Sequence, residues 1–194
     1  MVDRETVLEF VRSEEFQSMT LDDIASKLDV PDEQKDELRE TLEDLQQEGH
    51  VVRMKGRHWV DPLSSGLVVG RLECNSKGFG FLCPIQDEIE EDVYISEAEM
   101  GEAMHRDIAV AEYKPKKSGK SDKGPAGRIL KVLHHENEQV VGSFLPGKKF
   151  SWVAADDPRL FRDVYIAKGD EGGAEKGDKV VVNITQWPTL HRSP

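Results

Sequence analysis

Phe79, Phe81 and Tyr94 are the side chains best suited to chemistry with a ligand, and that chemistry is stacking rather than bond-making. In extended backbone alternate residues face opposite sides, so Phe79 and Phe81 share a face, while Val93 and Ile95 turn inward and leave Tyr94 outward. Three rings on adjacent strands make a platform for planar groups. Nucleobases are the natural occupants, each stacked base being worth roughly 1–3 kcal/mol. Gly78 and Gly80, which flank Phe79, are expected to leave the face open to an approaching ring, and Lys77 stands next to them to meet a phosphate. The competing expectation is that the rings are core residues of a small barrel.

The platform sequence belongs to a repeat. Asp-Val-Tyr-Ile occurs at Asp92–Ile95 and again at Asp163–Ile166, an offset of 71 residues. At that offset Phe79 and Phe81 fall on Phe150 and Trp152, and Asp107 falls on Asp178. Val69-Gly70 meets Val141-Gly142 one residue out of step. One small fold is therefore expected twice, the second copy offering Phe150, Trp152 and Tyr165, preceded by Lys148 and Lys149. That copy lacks the flanking glycines, so Tyr94 is the stronger stacking candidate and Tyr165 is expected to serve mainly the fold.

The elements that must position these residues are short apolar runs separated by Gly, Pro and charged turns. In the first copy they are 67–72, 80–83, 93–95, 108–113 and 126–133, five strands that suit an OB-type barrel. Between the last two lies a loop with five lysines, of which Lys114, Lys116, Lys117 and Lys120 are candidate phosphate contacts beside the platform.

Ahead of the repeats the period is helical. Val7, Leu8 and Val11 mark one helix, Thr20 caps a second, and a third starts at Pro31, carries Leu38, Leu42 and Leu45, and ends at Gly49. Residues 51–60 then alternate as a hairpin turning at Lys55-Gly56. Three helices and a hairpin resemble a winged helix-turn-helix, yet the third helix carries eight acids against Lys35 and Arg39 and would be repelled by phosphate. Duplex contact is confined to the hairpin, at Arg53, Lys55 and Arg57; the acidic surface suits a protein partner.

The net charge of −12 excludes a protein that coats nucleic acid with a basic surface, so contact with RNA must be local. The acid is concentrated at the front: residues 1–62 hold 17 Asp/Glu against 8 Lys/Arg, whereas the two copies are nearly neutral. Cys74 and Cys83 form no CxxC pair or disulfide framework, the six histidines are scattered, and no metal site is expected. No apolar run reaches membrane-spanning length and no signal segment opens the chain, so a cytoplasmic protein without membrane contact is expected.

Lys77-Gly-Phe-Gly-Phe-Leu82 followed by Asp92–Ile95 resembles the two ribonucleoprotein motifs of cold-shock domains. With the preceding helices and the second copy, containing Ala-Asp-Asp-Pro-Arg159 and Asp163–Ile166, the order resembles the N-terminal half of bacterial ribonuclease R, a ribonuclease II-type exoribonuclease. The resemblance implies an α+β multidomain chain: a winged helix-turn-helix over 1–62, two five-stranded cold-shock-like OB barrels over 67–135 and 138–188, and a tail, 189–194, leading to a catalytic domain outside this chain. It implies binding of single-stranded RNA, and of structured RNA, on the way to a 3′-to-5′ exonuclease centre that uses magnesium. Ser96 stands where many cold-shock proteins have histidine, and Ala167 occupies the corresponding place in the second copy. Asp157-Pro158 continues as Arg-Leu-Phe-Arg rather than as further aspartates, so a turn is expected there and no catalytic residue is assigned. Two alternatives stand beside this one: a free-standing RNA-binding or chaperone protein without nuclease activity, and a winged-helix transcriptional regulator, against which the acidic third helix weighs.

Overall fold

The computed structural model describes residues 2–114 and 124–188; the side chain of Lys114, the whole of Lys116, Lys117 and Lys120, and the tail 189–194 lie outside the described residues. Three helices lead, α1 (Arg4–Val11), α2 (Leu21–Lys27) and α3 (Lys35–Gln47), followed by the hairpin strands β1 (Val52–Arg53) and β2 (Trp59–Val60). Asp3 caps α1 by accepting from the Thr6 N–H at 3.1 Å, and Thr20 and Asp23 form a reciprocal capping box on α2. The third helix does not begin at Pro31: a 3-10 turn, Asp32–Gln34, comes first and regular helix starts at Lys35. Leu38, Leu42 and Leu45 face Val7, Ile24 and Trp59 in one core, as their spacing requires.

Five strands follow and close into a barrel. They are β3 (Leu67–Cys74), β4 (Gly80–Pro84), β5 (Val93–Ile95), β6 (Ile108–Lys114) and β7 (Ala126–His134), in the order β3-β4-β5-β7-β6. Leu72, Leu82, Val93 and Ile95 fill the interior without exposure. The outer face is also used: Val69 and Val110 are buried beneath Val52, Met54 and Val60 of the hairpin. Gln46 at the end of α3 ties the junction, its Oε1 accepting from Arg53 N at 2.9 Å and from Lys131 Nζ of β7 at 3.3 Å. The N-terminal unit thus sits on the barrel wall.

The second copy is not the expected five-stranded barrel. Among the described residues it is a four-stranded sheet, β10 (Val164–Ile166), β9 (Ser151–Ala155), β8 (Gln139–Leu145) and β11 (Lys179–Asn183), in that order. The first barrel closes through β7, which has no counterpart among the described residues of the second copy. The duplication is otherwise reproduced bond by bond. Leu72 N donates to Asp107 O at 2.9 Å and Phe144 N to Asp178 O at 2.9 Å. Met104 N and Glu175 N donate to the side chains of the same two aspartates, each at 2.9 Å. A Cβ on Gly70 would overlap the Cys83 carbonyl, and one on Gly142 the Ala154 carbonyl. The one-residue slip is a hairpin shortened by one: Glu73 pairs with Phe81, and its counterpart Leu145 with Trp152. One difference is chemical. Val141 and Val181, the counterparts of Val69 and Val110, are 53% and 61% exposed.

Candidate nucleic-acid interface

Each copy builds a cluster of three rings on the outer face of its sheet. Val93 and Ile95 point into the barrel, which forces Tyr94 outward, and the register sets Tyr94 directly opposite Phe81. The ring centroids are 5.5 Å apart for Phe79 and Tyr94, 5.8 Å for Phe81 and Tyr94, and 6.0 Å for Phe79 and Phe81. Edge-to-face packing of this kind holds the rings upright, and Phe81 and Tyr94 remain 40% and 37% exposed.

The second cluster repeats the first in spacing and tilt, with Tyr165 half-buried within it. Trp152 and Tyr165 are paired across β9 and β10, with centroids at 5.7 Å, and Phe150 stands 5.0 Å from Trp152 and 5.3 Å from Tyr165. The interplanar angles follow the same pattern, 86°, 52° and 76° here against 83°, 45° and 68° in the first cluster. Phe150 is as exposed as Tyr94. Spacing and tilt therefore do not rank the two copies, but exposure separates them: Trp152 and Tyr165 are half-buried where Phe81 and Tyr94 are exposed.

The role expected of the flanking glycines is corrected by the structure. Gly80 is buried, and a Cβ on it would point inward, 2.9 Å from the Glu73 carbonyl and 3.1 Å from Leu72 Cδ1. Gly78 adopts φ +85°, a left-handed turn conformation, and its missing Cβ faces Glu97 rather than open solvent. Both serve hairpin packing. Ser151 takes the place of Gly80 in the second copy and is likewise buried, which is why that copy keeps its rings without the glycines.

The described basic residues considered as nucleic-acid contacts fall into three places. Lys77, Lys148 and Lys149 are exposed in the hairpin turns that lead into the two ring clusters. Lys55 and Arg57 are exposed at the N-terminal turn, while Arg53 is engaged, 5.8 Å from the Trp59 ring and 3.9 Å from Glu43. Arg71 was not foreseen: it sits opposite Cys83 on β3, one step along the outer face from the Glu73–Phe81 pair, and is exposed. The alternation Val69, Arg71, Glu73 would have placed it there had the outer face of β3 been read together with that of β4.

Asp157-Pro158 is a turn, with Asp157 accepting from Arg159 N at 3.0 Å and pairing with its guanidinium at 2.8 Å. That Arg159 bond holds the carboxyl down to about 2. No cluster of three acidic, His or Cys residues that could hold a metal ion exists among the described residues. The residues present do not fit a magnesium centre. Burial raises the thiol of Cys74 to about 12, and burial with nearby Asp92 raises Cys83 to about 11, so neither is set up as a nucleophile. No described helix is long and apolar enough to cross a membrane.

Comparison with known proteins agrees with this architecture. Residues 70–132 match the ribonuclease B OB domain and residues 152–194 match the cold shock domain. Ribonuclease R of Thermotoga maritima is 30% identical over 193 residues, covering 98% of this chain and 26% of that protein. The chain thus spans about a quarter of that relative's length. Two solved structures share the fold: yeast Ssd1, described as a pseudonuclease, with TM-score 0.53 and 16% identity over 68% of this chain and 22% of that one, and Mycoplasma genitalium RNase R in complex with ribose-methylated single-stranded RNA, with TM-score 0.50 and 18% identity over 61% and 19%. Two OB-type domains in this order, joined to a match over nearly all of this chain, make it similar to ribonuclease R over about a quarter of that protein's length.

Proposed function

We propose that this chain binds single-stranded RNA by stacking bases on Phe79, Phe81 and Tyr94 and on Phe150, Trp152 and Tyr165, with Lys77, Arg71, Lys148 and Lys149 neutralising phosphates. The lysines at 114, 116, 117 and 120 are further candidate phosphate contacts. The observation that carries the reading is the duplicated ring geometry: two outward-facing triads, alike in spacing and tilt, in a chain whose net charge forbids indiscriminate binding. Single-stranded RNA is also what the structurally similar Mycoplasma protein is described as holding. In this reading the bound strand is guided toward the hydrolytic centre of a ribonuclease R-like exonuclease. That magnesium-dependent centre is assigned to a separate domain, because Asp157 is engaged by Arg159 and the described residues hold no cluster of three candidate metal ligands.

The N-terminal unit reads as a winged helix whose hairpin has a divided role. Its apolar side, Val52, Met54 and Val60, docks on the barrel, which leaves Lys55 and Arg57 at the turn for duplex or structured RNA. Binding without hydrolysis is the second reading, and the fold likeness to a pseudonuclease supports it.

Titration of tryptophan fluorescence with single-stranded RNA, duplex RNA and single-stranded DNA, read against a Trp152→Phe variant that leaves the Trp59 and Trp187 signals, tests the proposal. Quenching by single strands ahead of duplex is expected. Equal, weak response to all three would remove the stacking role. Incubation of RNA with magnesium and this chain alone should leave the strand full length, and reproducible shortening would overturn the assignment of hydrolysis to another domain.

A further inference from the structure

Phe161 and Arg162 belong to the connection between β9 and β10, yet their contacts are with the first barrel. Phe161 packs against the barrel core cluster that includes Leu72, Met100 and Ala103. Its Cε2 lies 3.7 Å from the place a Cβ on Gly78 would occupy. Arg162 covers the ring, 5.4 Å from its centroid, and donates to the Gly101 carbonyl at 3.3 Å. The space left among Ala103, Met104, His105 and residues 159–162 is about 10 Å³, no more than one water fills. The segment joining the copies is also fastened. Buried Asp107 meets His135 Nδ1 at 2.8 Å and accepts from Glu136 N at 3.0 Å, and the Asn137 amide donates to the His105 carbonyl.

The repeat shows that the fold does not demand these two side chains. Moved back by 71 residues, Leu160 becomes Ile89, and each packs in its own copy's core. Phe161 and Arg162 become Glu90 and Glu91, which are exposed. The same loop has been built once with acids facing water and once with a ring and a guanidinium seated on a neighbour. The joint also lies next to both ring clusters. Gly78 immediately precedes Phe79, and Tyr165 is four residues from Phe161, a stretch that spans at most ~14 Å of chain.

We propose that Phe161 and Arg162 are positioning residues that lock the two ring clusters into one binding track, so that an RNA strand long enough to reach both is held at two points at once. This rests on the reading of the rings as RNA platforms. Freeing the joint turns a preorganised pair of sites into a tethered pair, and the gain from the second contact falls with the local concentration it enjoyed.

The test uses the full chain, the double variant Phe161→Ala/Arg162→Ala and the milder Arg162→Ala. Affinity is measured by fluorescence anisotropy for oligouridylates of about 4 and about 16 nucleotides, the range of OB-fold site sizes. Solution X-ray scattering is recorded without RNA. In the double variant the short strand should bind as in the parent, the long strand should lose about tenfold or more, and the radius of gyration should rise; Arg162→Ala should show a smaller loss in the same direction. Equal loss on both lengths, or undiminished binding of the long strand, would overturn the proposal. Failure of the parent to bind either length would overturn the RNA reading itself, a result separate from a joint that scattering shows to open.

Discussion

Phe81→Ala separates the working face of the barrel from its core with a single substitution. The ring is 40% exposed and meets Phe79 and Tyr94 edge-on at 6.0 and 5.8 Å. Its removal opens no internal cavity. The folding cost is the burial of a little over half a ring plus part of two aromatic pairs, about 1–2 kcal/mol. The RNA cost is one stacked base, about 1–3 kcal/mol, which is roughly 5- to 150-fold in affinity. Leu82, the next residue, points the other way and has no exposure, so Leu82→Ala should lose about 2–5 kcal/mol of stability. Paired measurements of thermal unfolding and of anisotropy with a labelled oligouridylate distinguish the two. Phe81→Ala should bind weakly while folded, and Leu82→Ala should bind only in proportion to its folded fraction. A folded Phe81→Ala protein with parental affinity would refute the assignment of the outer face to RNA.

Four further outcomes are expected. Trp152→Ala should weaken a long oligonucleotide by a similar factor of roughly 5 to 150, measured in the same anisotropy assay, because its ring cluster matches the first; an unaffected titration would confine binding to the first copy. Gly80→Val should destabilise the barrel by about 1–3 kcal/mol in chemical denaturation, since its new side chain meets Glu73 O and Leu72, and a neutral result would contradict the inward orientation. With thiols raised to about 12 and about 11, Cys74 and Cys83 should react slowly with a disulfide reagent at neutral pH and rapidly after unfolding, as followed by absorbance. The Asp157 carboxyl, held at about 2, contributes stability that is present above its unfolded value near 3.8 and is lost as pH falls through about 2; the pair is largely exposed, so the amount is under ~1 kcal/mol, and carboxyl NMR should show the depressed midpoint.

Local pattern made the strands and the rings legible. Alternation in Val93-Tyr94-Ile95 settles which residue faces out, and the helical spacing of Leu38, Leu42 and Leu45 settles which face of α3 is buried. The 71-residue offset carried the second ring cluster with it. What escaped depends on contacts between distant segments. The inward side of Gly80 is decided by β3, not by its neighbours in sequence. Phe161 looks like one more apolar residue in a loop until the first barrel is seen beneath it. The apolar residues Val52 and Met54 read as hairpin alternation, and only the barrel wall explains why both faces of the hairpin are occupied. Closure of the second copy could not be read from the repeat, because the 71-residue offset brings no counterpart of β7 into the described residues.

The open sheet has a consequence for handling the protein. Among the described residues β10 and β11 are edge strands, and β11 reads Lys179-Val-Val-Val-Asn183. Among the described residues no strand pairs with the outer row of N–H and C=O groups on this valine run, which makes it a template for strands from other molecules, whereas β10 is blunted by its length of three residues. Amide exchange should therefore be fastest along the outer side of β11 and slowest in β3 and β4 of the closed barrel. Concentrated samples should associate first through β11, and Val181→Lys, which charges the most exposed valine of that strand, should raise the solubility limit without disturbing either ring cluster.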